Sequence, residues 1–356
     1  MPSLVHAKLH LWRIGVTAAL MLPVFSSALA ACGLALDERL KTFCLLNNMQ
    51  EKKPLPPQAL MLANSLKKQG YLTSVNVSGK TKGSPIRFSI KGISRYSQNI
   101  NGGNPAQNLE LGGLSFVGDP AFYAKEGLLI GAALNVGGRR IYGEGRYLNY
   151  NLNTSYTYSA KHSLGVATSS VSACSINHIA DWWYLDLCGN ASSTRKEITT
   201  QSSENLSLAL VKSFSGVSST YHKIRIEGIR RFSSNYVQNK LLFGLDTIHP
   251  KNVTSGVTVA IGESVNNQLA TRVAISGHLG LSLNKKRLSV KASYNDSDGG
   301  KLLGFDRSDE AFNLSVSYPL TDYVSANLGY HKTNSSIDYY DTKYPTFGLQ
   351  LKSLSF

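Results

Sequence analysis

From about residue 84 to its last residue the chain places apolar side chains at every second position, and no segment there is long and apolar enough to be a spanning helix. RFSIKGI sets Phe88 and Ile90 against Arg87, Ser89 and Lys91. LNYNLNTSYTY sets Leu148, Tyr150, Leu152, Tyr156 and Tyr158 against Asn149, Asn151, Asn153, Ser155 and Thr157. NLSLALVKSF, KIRIE, KLLFGLD, RLSVKASY and FNLSVSY repeat the pattern. A period of two sends successive side chains to opposite faces of a strand, so each segment has one apolar and one polar face.

The class of fold turns on what meets the apolar faces. In a soluble sandwich they would face each other across a core. Here the opposite faces carry Asn, Ser, Thr, Gly and isolated charges, and no helices remain to cover so large a sheet. A membrane barrel predicts this arrangement: segments of about ten residues, apolar toward lipid and polar toward a lumen. Tyr156, Tyr158, Tyr294, Tyr318 and Tyr330 suit the aromatic girdles of such a wall. The expected fold is therefore all-β, an antiparallel transmembrane β-barrel of about 14 strands over residues 84–356, preceded by a short helical segment. Strand centres are expected near residues 90, 131, 152, 167, 185, 209, 225, 243, 259, 277, 290, 314, 327 and 350. A soluble β-sandwich or β-helix is the alternative.

An even strand count brings the first and last strands together on the same side. The terminal strand would close the barrel through Phe347, Leu349, Leu351 and Phe356. Phe356 has the opposite parity to the other three, so a bulge near Lys352 or Ser353 is required to turn both sets outward. Residues 97–125 and 295–309 are expected to be long outer loops.

The opening of the chain has a different character. Lys8 and Arg13 precede the apolar run Ile14–Phe25, and small residues follow up to Ala28-Leu-Ala30. This is the form of a secretory signal peptide over residues 1–30. Leu29-Ala-Ala-Cys32 also fits lipid attachment at Cys32, although simple cleavage leaves an even set of four cysteines for disulfides. Cys174–Cys188 would then tie two sides of one loop, and Cys32–Cys44 would form the second bridge. Residues 31–83 are expected to form a short periplasmic helical hairpin and linker, broken by the Pro-rich EKKPLPPQ. Such a hairpin could be a plug or cap, or a binding module.

Composition narrows the function. The formal net charge is +15, of which the leader carries Lys8 and Arg13, leaving about +13. In an exported chain without a Lys/Arg-rich run, this points to outer-membrane lipid headgroups or an anion-biased pore, and away from nucleic acid. Neither a nucleophile elbow nor a zinc-binding His-Glu-x-x-His motif is present, and the eight His residues are scattered. Neither catalysis, a cofactor nor a metal is therefore expected. The candidate lumen residues by parity are Arg87, Lys91, Arg225, Glu227 and His278, positioned to set ion selectivity or grip a passing polypeptide, or simply to hydrate the lumen. Trp182-Trp183 is expected to anchor at the membrane interface.

Three stretches taken together resemble one family. GISRYSQNINGG (92–103) is similar to its first-strand signature, with Tyr96-Ser97 where that signature has an acidic residue. FDRSDEAFNLSVSY (305–318) is similar to a later strand entry, and YHKTNSSIDYYDTKYPTFGLQLKSLSF (330–356) to the terminal hairpin. Their order and separation resemble the C-terminal barrel of the surface lipoprotein assembly modifiers, the Slam proteins. The resemblance implies a fourteen-stranded barrel in the cell outer membrane that helps lipoproteins or related secreted proteins reach the surface. Its implied partner is an exported client protein. The alternative is a porin-like diffusion channel for small, preferentially anionic solutes.

Overall fold

A computed structural model describes residues 32–35, 37–51, 56–72, 84–284, 286–351 and 354–355. The proposed signal peptide, the linker 73–83, Lys352, Ser353 and Phe356 lie outside the described residues. Two helices come first, α1 (Glu38–Glu51) and α2 (Pro56–Lys68). Strand β1 (Ser84–Ser97) is followed by a small hairpin, β2 (Asn108–Leu111) and β3 (Leu114–Val117). The wall continues with β4 (Gly127–Gly143), β5 (Arg146–Ser159), β6 (Leu164–Ala180), β7 (Trp183–Arg195) and β8 (Thr200–Ser215). It goes on through β9 (Tyr221–Ser233), β10 (Val237–His249), β11 (Val253–Gly262), β12 (Ala270–Leu283) and β13 (Lys286–Leu302). Strands β14 (Phe305–Pro319), β15 (Val324–Ser335) and β16 (Thr342–Leu351) complete it, with the short continuation β17 (Leu354–Ser355).

From β4 to β16 each strand pairs antiparallel with the next, β2 and β3 pair only with each other, and β1 pairs with both β4 and β16, so the sheet closes. With β17 continuing β16, this is a closed 14-strand antiparallel barrel. Every strand centre expected from the sequence falls within a wall strand.

Alternation sorts the side chains. Leu206, Leu208 and Leu210 point outward, while Asn205 and Ser207 share the parity of the buried Ala209 on the inner face. Phe88, Ile90, Leu128, Ile130, Leu241, Phe243, Phe312, Leu328, Phe347 and Leu351 extend the outward apolar belt around the circumference. Tyr156, Tyr158 and Tyr294 are exposed on it as well. A continuous apolar belt of this extent would be an aggregation surface in water and is solvated only by lipid tails. No described helix is long and apolar enough to cross a membrane, so the strands do the crossing.

One expectation is corrected by the arrangement. Residues 295–309 are wall rather than loop: β13 runs to Leu302 and β14 starts at Phe305, leaving Leu303 and Gly304 as the turn. The helical segment lies against the barrel wall: α1 packs against the inner faces of β8 and β9, and Asp37 and Arg39 at its start are ion-paired to β9 and β7. The long segment 98–126, by contrast, is a loop, and it folds inward. Ile100 is buried against the inward-facing Leu129 and Val166. The Ile198 amide, in the β7–β8 turn, donates to the Asn101 carbonyl. Farther along, Leu111 packs with Ile337 and Tyr339 of the β15–β16 connection. The loop thus reaches from the β7–β8 turn to the β15–β16 connection and covers much of one mouth.

Candidate functional site

The mouth at the N-terminal end holds the helices, and the grip begins at Asp37. Its carboxylate caps α1, accepting from the Arg39 amide at 2.8 Å and the Leu40 amide at 3.2 Å. The same carboxylate accepts from Lys223 Nζ on β9 at 2.9 Å and lies 3.3 Å from Arg39. Burial alone would raise its pKa, but Arg39 and Lys223 outweigh that and hold the carboxyl far below the usual carboxylate range.

Arg39 then reaches the wall. Its guanidinium donates to Asp186 of β7 at 2.7 Å, with only 6% of the Arg39 side chain and 3% of the Asp186 side chain exposed. Asp186 accepts Arg225 Nη1 at 2.9 Å through its other oxygen, and Arg225 Nε donates to Glu227 at 2.7 Å. Lys223 also meets Asp246 at 2.7 Å, and His278 lies 3.7 Å from the same carboxylate. The register dictates this gathering: Arg225, Lys223 and Asp246 stand on facing inward positions of β9 and β10, and His278 of β12 opposes Gly256 of β11, which in turn opposes Asp246.

Apolar packing surrounds the ion pairs. Phe43 stacks edge-on against Trp182 at 5.1 Å and Tyr221 at 6.0 Å, alongside buried Leu40, Leu45, Leu62 and Ile248. Trp182 therefore packs on α1 at the plug instead of anchoring to lipid; Trp183 carries Lys212 over its ring at 4.7 Å. The helices clasp each other through Glu38, which accepts Ser65 Oγ at 2.7 Å and Lys68 Nζ at 3.1 Å. Burial opposes the ionised form of Glu38, but these two donors keep its pKa below the ordinary value. Arg139 of β4 donates to the Lys68 carbonyl at 2.7 Å, tying α2 to the wall.

Of the candidate lumen residues, Arg225, Glu227 and His278 lie in or beside this network. Arg87 and Lys91 share the inward parity of β1, and Arg87 lines a cavity of about 390 Å³ between the helices and the wall, with Glu38, Lys68 and Arg139. Cys32–Cys44 staples the start of the described chain to α1. Cys174 and Cys188 are bridged directly across β6 and β7 within the wall, so that disulfide locks two strands together and does not close a loop. Sequence reasoning missed Asp37, Arg39, Asp186, Lys223 and Asp246; the Asp-Glu-Arg sequence at a helix start signals a cap and nothing about partners far along the chain.

The closing seam differs from every other strand pair. β1 meets β16 at Ile93–Arg95 opposite Gly348–Gln350, and meets β17 at Ser89 and Ile90 opposite Ser355 and Leu354. The register steps by one residue between these two sets, where the apolar parity of the sequence also changes. Toward the loop-covered mouth, Thr342–Phe347 of β16 has no partner on β1 among the described residues. A cavity of about 690 Å³ opens there, lined by Arg95, Tyr96, Gln98, Tyr344, Thr346 and Phe347 among others.

No family model matches the sequence, and no curated protein matches it significantly. Solved structures do. Pseudomonas putida OprB superposes at a TM-score of 0.45 with 7% identity, over 77% of this chain and 94% of that one. The outer membrane protein OprD from Pseudomonas aeruginosa gives 0.40 with 9% identity, over 77% and 94%. CdiB from Acinetobacter baumannii gives 0.38 with 10% identity, over 78% and 61%. At these levels the likeness is one of barrel fold alone.

Proposed function

We propose that this chain is an outer-membrane barrel that assists translocation or surface display of exported protein clients, lipoproteins among them. The supporting observation is the seam. Neighbouring wall strands elsewhere pair along most of their length, whereas among the described residues β1 meets β16 and its continuation β17 at five residue pairs in two sets, beside a cavity of about 690 Å³. Each ladder hydrogen bond contributes roughly 1 kcal/mol net, so the shortest ladder is the cheapest place for the wall to part. A wall that parts sideways admits a polypeptide or a lipid-bearing segment; a diffusion channel has no use for one. Outer-membrane localisation belongs to the same reading and rests on the closed wall and its apolar belt.

A crosslink across the seam tests this. Ser94 and Leu349 stand opposite each other on β1 and β16, and Phe243 and Val259 are an equivalent pair on β10 and β11. Under oxidation, Ser94→Cys with Leu349→Cys should abolish protease accessibility of client lipoproteins on intact cells, with their total amount unchanged. Phe243→Cys with Val259→Cys should leave it intact. Equal accessibility with the seam locked refutes lateral opening.

A second reading, a channel for small anions, is favoured by Arg87, Lys91 and Arg95 on the inner face of β1. It predicts a planar-bilayer conductance with chloride permeating more readily than potassium, and an unchanged set of surface-accessible proteins when the gene is deleted.

A further inference from the structure

Away from the plug, the inner wall between β7 and β10 contains a niche of about 270 Å³ lined by Cys188, Asn190, Asn205, Glu227, Arg231 and Lys240, with Ser207 and Ile229 beside them. Arg231 faces Gln238, and Lys240 faces Ile229, so the two cations are diagonal neighbours on the same inward face of β9 and β10. Diagonal positions of an antiparallel pair lie about 7–8 Å apart, within reach of both long side chains. Neither forms an ion pair among the described residues, and Arg231 Nε is buried without a hydrogen-bond partner. The one carboxylate in the niche, Glu227, is already held by Arg225 Nε at 2.7 Å.

Two adjacent half-buried cations, with the one nearby carboxylate already engaged by Arg225, repel each other and lose part of their hydration, an arrangement relieved by an anion between them. Asn190 adds a neutral donor: its Oδ1 accepts from Asn205 Nδ2 at 2.8 Å, which leaves its own amide N–H groups to donate. A volume of about 270 Å³ falls below the usual range for drug-sized ligands, so it fits one oxyanion group or a small acid. The Cys174–Cys188 bridge fixes the wall at its edge. We propose that this niche binds a small oxyanion, phosphate or carboxylate, through Arg231 and Lys240 with Asn190 assisting. The site stands whether the barrel passes protein clients or solutes.

The full chain in detergent micelles would be titrated calorimetrically with sodium phosphate and, separately, sodium acetate, against sodium chloride at matched ionic strength. The variants are Arg231→Gln and Lys240→Gln, with Lys91→Gln as a lumen cation outside the niche. Heat-modifiable migration on a gel would confirm a folded barrel for each. Saturable binding of at least one oxyanion is expected, weakened tenfold or more by either niche variant and unchanged by Lys91→Gln. Phosphate alone, or acetate as well, tells which oxyanion the niche takes. Without oxyanion, both niche variants should unfold at or above the wild-type temperature, because like-charge repulsion is relieved. Absence of saturable binding for both anions, binding that survives Arg231→Gln, or equal weakening by Lys91→Gln would overturn the proposal.

Discussion

Replacing Asp186 by Asn tests whether ion pairs hold the helices in the barrel. Asp186 bridges Arg39 of α1 at 2.7 Å and Arg225 of the wall at 2.9 Å, with 3% of its side chain exposed. Removing one partner of a buried ion pair costs about 3–5 kcal/mol, chiefly because the other charge is left unpaired and dehydrated. Arg225 keeps Glu227 at 2.7 Å, so the wall is spared and the loss falls on Arg39. Arg39 retains Asp37 at 3.3 Å, which places the expectation at the lower end, about 3 kcal/mol. At 1.4 kcal/mol per factor of ten, docking weakens roughly a hundredfold. A 14-residue helix is marginal once undocked, so amide exchange in α1 reports docking directly. Protection of α1 should fall by about that factor while β7 and β9 remain protected and the barrel band is unchanged. Restoring protection with Arg39→Leu plus Asp186→Leu would show that the cost was the stranded charge and not lost packing. Protection of α1 within threefold of wild type in Asp186→Asn would refute the account and assign the grip to the apolar cluster.

Two further perturbations separate the components of that grip. Asp37 has a pKa depressed on docking, so its contribution is complete above the free-carboxylate value of about 4 and fades only as pH falls through the lower docked value. The difference in α1 protection between wild type and Asp37→Asn should therefore stay constant from pH 8 to 5 and shrink only below about 4; a difference that vanishes between pH 7 and 5 contradicts this. Phe43→Ala removes a 7% exposed ring from between Trp182 and Tyr221 and should weaken docking by about 3–5 kcal/mol in the same assay, whereas an effect under about 1 kcal/mol would mean the cluster is a bystander.

The wall was legible because pleating converts sequence parity directly into facing, and a membrane wall repeats that rule in every strand. The rule fails where the apolar signal stops. NDSDGG resembles a turn, yet β13 continues through it to Leu302, with Gly299 at a φ of 85° and a register shift between Ser297 and Gly300. Beyond the apolar belt both faces of a strand are wet, so polar residues no longer distinguish strand from loop. The plug was hidden for a different reason. Asp37, Glu38 and Arg39 resemble any solvated helix start, and their partners Asp186 and Lys223 are fixed by barrel register, which the local sequence does not encode. Arg231 and Lys240 are likewise ordinary lumen charges until the register makes them diagonal neighbours.

The distribution of charge inside the barrel joins these features. Asp186, Glu227 and Asp246 are each engaged by Arg39, Arg225 or Lys223 where the helices dock. Farther along the lumen, Arg95 beside the seam cavity and Arg231 with Lys240 in the niche have no carboxylate partner among the described residues. The helices thus supply Asp37 and Arg39 to a network whose members can exchange partners, since Lys223 holds Asp246 as well as Asp37. A plug secured in this way can leave without stranding Lys223 or Arg225, because each has a second acid in the wall. The two ion pairs broken on departure are Arg39–Asp186 and Asp37–Lys223: Arg39 and Asp37 emerge into water, where a charge is cheaply solvated, while Asp186 keeps Arg225 and Lys223 keeps Asp246. Undocking therefore costs mainly the burial of Phe43 and its neighbours, whereas breaking the wall elsewhere costs a full ladder of backbone hydrogen bonds. By this comparison, departure of the helices and the proposed parting of the β1–β16 seam are the two least costly movements of the barrel.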